Sequence, residues 1–359
     1  MNLGNSSTAP VLEANGKQYH ASDVLDAAWF RGELPAAWLD LQAGLEAVRG
    51  AADFEPDGDA LQALAEEVRY RFDLITAEAT EAWLAARGLS LEDLTDYCHR
   101  RYWRQNPGPR PADAGTGYAN ATPEARELLR KDLMLAGEFD ELARALAWRV
   151  SAAVADEPGS PLPPASLEAE RARFLQRTGL AENNLRDSLQ CLGRDEAWLG
   201  LQTEREVRFH TACDQACAAE ARARRLAALR LPLTRLEVEL LDLESDDAMR
   251  EACLCVEADG QSLEAIAEQE HYQIERRSIL LEELPEVHQQ RMLGAQSGRV
   301  FPLIEDDTRF SVCVVMRKTD PTLADAQVLA RVDAGLIATH FDNLAAKHIV
   351  WLTGPEPTT

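Results

Sequence analysis

Apolar residues recur at intervals of three and four from about residue 20 to Leu231, and from Pro232 onward the interval becomes two. The first spacing gives a helix one apolar stripe, and the second turns successive side chains to opposite faces of a strand. A chain that changes spacing in this way segregates its helices from its sheet, so the expected fold class is α+β. It comprises a mostly helical N-terminal region, a small sheet-and-helix domain and a C-terminal helix.

Within the helical part, Asp59 to Phe72 sets Leu61, Leu64, Val68 and Phe72 on one stripe. Ser90 and Asp93 form a capping box that starts a helix through Tyr97 and Trp103. Residues 106–121 read as a loop, and Thr122 with Pro123 restarts the helix. Residues 157–166, EPGSPLPPAS, cannot continue a helix, because proline lacks a donor and fixes φ. Helices resume at Leu167 and end in one long run from Ala197 to Leu231. Arg69 to Leu91 and Arg171 to Trp198 share an Arg-x-Arg-Phe start, a faint echo of duplication.

After Pro232, Leu236, Val238 and Leu240 alternate with Glu237 and Glu239 as in a half-buried strand. Helices are expected from Asp246 to Glu257 and from Ser262 to Gln269, separated by a turn at Asp259-Gly260. Strands follow at Tyr272 to Leu281 and Arg309 to Arg317, then a helix from Leu323 to Lys347 and an apolar end, Ile349 to Trp351. The expected division is 1–156, an N-terminal helical domain; 157–231, a helical region leading into a connecting helix; 232–320, the sheet-and-helix domain; and 321–359, a C-terminal helix and short tail.

The formal charge, 37 − 61 = −24, repels phosphate backbones and anionic headgroups, so neither nucleic acid nor membrane is an expected partner. It suits a basic or neutral polypeptide, or simply a solubilising surface. Met1 to Pro10 has neither a positive region nor an apolar core, and no stretch is apolar enough to span a bilayer, so cytoplasmic residence is expected. The seven cysteines, an odd number scattered along the chain, fit reduced thiols better than a disulfide framework.

Four segments carry a family likeness. Gly260-Gln261-Ser262-Leu263-Glu264-Ala265-Ile266-Ala267 resembles the glycine-bounded helix of parvulin-type (PpiC/SurA-like) peptidyl-prolyl isomerases. Leu284-Pro285-Glu286-Val287 is similar to that family's Pro-Glu-Phe turn, and Gly298-Arg299-Val300 with Pro302-Leu303-Ile304 to the stretch before its last strand. Upstream, Phe72-Asp73-Leu74 through Trp83-Leu84, Gly88-Leu89-Ser90 and Asp93-Leu94 looks like the SurA-type helical segment of PpiC-related proteins encoded beside ribosomally made, modified peptides.

The departures concern mechanism. The family places a histidine in the first strand, where this chain offers Leu236 or its neighbours, and another in the last strand, where it has Phe310-Ser311-Val312. The family's Gly-rich Cys/Asp turn is also missing from RRSILLEELPEV. Prolyl isomerisation needs polar groups that favour the twisted amide, so strong activity is not expected and no residue is assigned as catalytic. The resemblance implies an apolar groove for a peptide or unfolded polypeptide segment, with Leu284, Val287 and Phe310 as lining and Leu236 and Ser311 at the vacated places. Equally, these are ordinary core residues. The function expected is a chaperone-like accessory protein that holds a precursor peptide for a peptide-modifying enzyme, without a cofactor. The alternatives are an active isomerase and a structural subunit of a modifying complex.

Four other groupings stand outside that likeness. His210, Cys213 and Cys217 share one helix face and have donors that suit zinc, although small buried thiols on a packed helix explain them as well. Cys253 and Cys255 diverge on a helix, as do Cys98 and His99, so neither pair makes a redox or nucleophilic site. Arginines 222, 224, 225 and 230 form a basic island that either clamps acidic groups or is balanced by nearby carboxylates. No hydrolase, metalloprotease, dinucleotide or phosphate-loop motif occurs.

Overall fold

The computed structural model describes residues 10–51, 54–106, 117–156, 161–294, 296, 298–306 and 309–353. The fold class is α+β, with helices predominating and small antiparallel sheets. The chain divides into two compact units, Met1–Asp214 with His340–Thr359, and Gln215–Thr339. Both divisions fall inside long helices, whereas the sequence reading put its boundaries at 156, 231 and 320. Residues 157–160 of the proline-rich stretch, and most of the expected loop at 106–121, lie outside the described residues.

The first unit opens with a hairpin that lies ahead of the expected helical run. Strands β1 (Pro10–Ala14) and β2 (Lys17–His20) pair antiparallel across Asn15-Gly16, whose φ values are 49° and 73°. Two successive positive φ angles make the tight turn whose twist matches paired strands, and Asn-Gly adopts it readily. At the other end of the chain β7 (Val350–Trp351) pairs with β1 at Leu12 and Glu13, so the expected apolar tail is a strand.

Helices α1 (Ala21–Arg31), α2 (Pro35–Gly50), α3 (Gly58–Arg71), α4 (Ala77–Ala86), α5 (Leu91–Gln105), α6 (Pro123–Ala136), α7 (Phe139–Ala155), α8 (Pro164–Thr178), α9 (Glu182–Cys191) and α10 (Glu196–Ala216) follow. The caps are the ones read from sequence: Ser90 accepts from Asp93 N while Asp93 reaches back to Ser90 N, and Thr122 accepts from Ala125 N. Apolar α1 is buried nearly all round, and its Phe30 stacks on Phe174 of α8 with centroids 4.9 Å apart. A smaller cluster holds Leu64, Val68, Leu84 and Tyr97, with Leu61 and Phe72 packed on it, as the α3 stripe required.

The expected single run from Ala197 to Leu231 is two helices. The first ends at Ala216, and α11 (Ala219–Ala228) begins after Ala218, which is extended at ψ 150°. Then come β3 (Arg235–Leu243), α12 (Asp246–Asp259), α13 (Leu263–Glu270), β4 (Ile274–Leu280), α14 (Glu286–Gly294), β5 (Val300–Asp306), β6 (Arg309–Thr319) and α15 (Ala326–His348). The sheet is antiparallel throughout, in the order β4-β3-β6-β5. Gly260, at φ 65°, closes α12, and Ser262 caps α13.

The expected half-buried β3 is central and covered on both faces. Val238, Glu239, Leu240 and Leu241 are all buried, and Glu239 is satisfied there by Arg276 Nε at 2.8 Å. One face packs Leu241, Leu243, Val300, Val312 and Val314 against α12 and α13. The other packs Leu236, Val238, Leu240, Cys313 and Val315 against Leu281 and against Met292 of α14.

Candidate functional site

The second of those faces is the candidate site, and strand periodicity builds it. Residues 236, 238, 240 and 242 of β3 point the same way, and their partners on β6 are Lys318, Val315, Cys313 and Ser311. The odd spacing at Val315 comes from a bulge beside Glu237, which leaves Met316 half exposed. The apolar cluster stops at the Leu240–Cys313 rung. The next rung is polar: the buried Ser311 hydroxyl donates to Oδ1 of the exposed Asp242 at 2.6 Å.

The five residues singled out from sequence separate. Leu236 is fully buried, so it supports the face from within. Leu284 packs on the same cluster, and its carbonyl accepts from Gln289 Nε2 at 2.9 Å. Val287, on the outer side of α14, is 64% exposed and does not line the cluster. Phe310 packs with α12 and α13 on the opposite face, since neighbours in a strand alternate and Ser311 occupies this one. Leu284 and Leu236 thus lie on one face with Ser311 at its rim, while Val287 is exposed and Phe310 lies on the other face.

Two polar residues of this region were missed. Asp242 shares the parity of Leu236, Val238 and Leu240, and extending the alternation by one step would have found it. His288 is buried at 7% exposure on α14, one turn before Met292. It is an imidazole supplied by the helix rather than by a strand.

At the Ser311–Asp242 rung the carboxylate serves as an acceptor. An ionised aspartate only accepts hydrogen bonds, and the Ser311 proton is directed at it. Burial pushes the Cys313 thiol up to about 12, so it stays protonated and inert. Burial also lowers the Lys318 ammonium, which donates to the Leu293 carbonyl at 2.6 Å near the C-terminal end of α14.

Cys217 lies beyond the end of its helix, buried, with its sulfur 4.0 Å from the Asp333 carbonyl oxygen. His210 is half exposed beside Glu206, and among the described residues no three His, Cys, Asp or Glu side chains are placed to hold a metal. Cys253 and Cys255 both pack partly against the α12–α13 cluster. Burial raises the Cys98 thiol to about 11, which removes the thiolate a nucleophile needs. In the basic island, Arg222 makes a bidentate pair with Asp333 at 2.7 and 2.8 Å, and Arg230 pairs with Asp320 at 2.9 Å. Two of the island's four arginines are thus balanced by carboxylates of the same unit.

No protein-family model matches this chain, and no curated protein matches it. Among solved structures it is similar to the foldase protein PrsA of Streptococcus pneumoniae, at 11% identity and a TM-score of 0.27, over 62% of this chain and 88% of that one. PrsA of Bacillus subtilis gives 12% identity and a TM-score of 0.21, over 61% and 84%. A SurA-like chaperone of Campylobacter jejuni gives 9% and 0.20, over 61% and 87%. Among the described residues no helix is long and apolar enough to cross a membrane.

Proposed function

We propose that this protein is a chaperone-like peptide-binding factor whose parvulin-like unit holds an unfolded or precursor peptide without isomerising it. The observation that carries the reading is the Ser311–Asp242 rung at the rim of an apolar sheet face. The family likeness anticipates imidazoles on those two strands. A carboxylate there accepts from peptide N–H groups and from basic side chains, but it offers no proton to a twisting prolyl amide.

The net charge of −24 supports a basic or neutral segment as the ligand. The likeness to PpiC-related proteins of peptide maturation supports a ribosomally made precursor, handed to a modifying enzyme. Cytoplasmic residence is part of the same proposal, supported by Cys98, Cys217 and Cys313 serving as buried packing groups.

Calorimetric titration with a proline-containing basic peptide, and with the same peptide carrying glutamates in place of its lysines, tests the reading. Binding of the basic peptide, weakened about tenfold by Asp242→Asn, supports it. No binding of either peptide, or acceleration of prolyl isomerisation in a protease-coupled assay, rejects it.

A further inference from the structure

A separate cavity lies in the first unit, among α2, α3, α5 and α6, with a volume of about 290 Å³. Its chemistry starts from one helical spacing. Tyr97, Arg100, Arg101 and Arg104 stand at i, i+3, i+4 and i+7 on α5, so one face of that helix delivers a phenol and three guanidiniums to the cavity. Arg71, from the last turn of α3, adds a fourth. Alpha helices α2 and α5 approach closely at Gly44, where an added Cβ would lie 3.2 Å from Arg100 Cβ.

The arginines are unequally matched. Arg100 makes a bidentate pair with Asp132, at 3.2 and 2.5 Å, and Arg104 pairs with Asp40. Arg71 and Arg101 instead share a single oxygen, Glu67 Oε1, at 2.9 and 3.0 Å. Arg71 uses another nitrogen on the Ala136 carbonyl, at 2.6 Å. Arg101 Nη1 is buried and makes no hydrogen bond within the protein. Burial raises the Tyr97 phenol's pKa, against the lowering effect of the Arg101 and Arg71 charges beside it.

We infer that this cavity binds a monocarboxylate with a compact aliphatic body. Arg71 and Arg101 supply the anchor, since two guanidiniums that share one carboxylate oxygen keep donors and positive charge for a second carboxylate. Leu41, Leu129 and Leu133 supply apolar lining for the body. Asp40, Asp132 and the exposed Glu138 also line the cavity and oppose a second negative charge, which excludes phosphate and dicarboxylates. The inference is independent of the sheet face in the other unit.

The probe is N-acetyl-leucine, titrated calorimetrically into the full chain beside its primary amide. The acid should bind, the amide at least about tenfold more weakly, and Arg101→Gln should weaken the acid by a similar factor. Inorganic phosphate should not displace it. Equal binding of acid and amide, no binding of the acid, or displacement by phosphate would each overturn the inference. The comparison of acid with amide is made on the unaltered protein, so it stands even if the substitution impairs folding. Ala136→Met, which adds bulk at the lining without removing charge, should abolish binding of the acid, and unchanged binding counts against the site.

Discussion

Ser311 and Asp242 face each other across β6 and β3 and are joined by a 2.6 Å hydrogen bond, one rung beyond the last apolar pair of the sheet face. The serine is buried and the aspartate is exposed, so the pair joins the interior to the surface. Ser311→Ala removes the donor and leaves an acceptor that water can satisfy. The expected loss is about 1 kcal/mol in urea unfolding, well below the cost of stranding a buried group. A loss above about 3 kcal/mol would show that the aspartate is not solvated.

Leu236 and Val287, alike as sequence candidates, should behave oppositely. Leu236 is fully buried, and Leu236→Ala should cost about 2–5 kcal/mol of stability. Val287 is 64% exposed, and Val287→Ala should stay within about 0.5 kcal/mol of the parent. Chemical denaturation of the two variants side by side decides it.

Glu206 of α10 accepts from Arg149 Nε and Nη2 of α7, at 2.6 and 3.0 Å. Burial raises its pKa, but the hydrogen bond and charge of Arg149 outweigh it and hold the carboxyl below its ordinary value of 4.5. A carboxyl whose folded pKa is depressed stabilises the fold fully above its unfolded pKa, and that contribution is lost as the pH falls through the folded value. Stability from this pair should therefore be constant near neutrality and decline below about pH 4.5. Glu206→Gln strands a buried guanidinium and should cost about 3–5 kcal/mol at neutral pH, with a shallower acid decline, read from denaturation midpoints across pH.

Thiol reactivity should divide by burial. Cys191 is exposed, whereas burial holds the Cys98 and Cys313 thiols at about 11 and about 12. Under native conditions Cys191 should react promptly with an aromatic disulfide reagent, and Cys98 and Cys313 should react only once denaturant is added. Mass spectrometry of the labelled cysteines reads the order, and early labelling of Cys313 would contradict the packed face.

Short-range pattern made much of the fold legible. Ser90, Thr122 and Ser262 cap helices that begin where the residues promise, because a cap is a hydrogen bond within one turn. The alternation at Leu236, Val238 and Leu240 gives β3, and the β-branched run after Arg309 gives β6. The β1–β2 hairpin was readable from Asn15-Gly16 but was overlooked, since its strands are short and lead directly into α1. Phe310 was misplaced although parity alone separates it from Ser311.

The sequence by itself determined the class of the fold and, after Pro232, the places of β3, α12, α13, β4, β6 and α15, while α14 and β5 went unread. Those features depend on spacing, which the chain carries locally. Only the tertiary structure decided that Val350 and Trp351 form a strand, because β7 exists through pairing with β1 at the far end of the chain. It alone joined Ser311 to Asp242, which required both the cross-strand register and its bulge, and it alone brought Arg71 and Arg101 to one oxygen of Glu67. Such relationships depend on distances through space between residues remote in sequence, and no local periodicity records them.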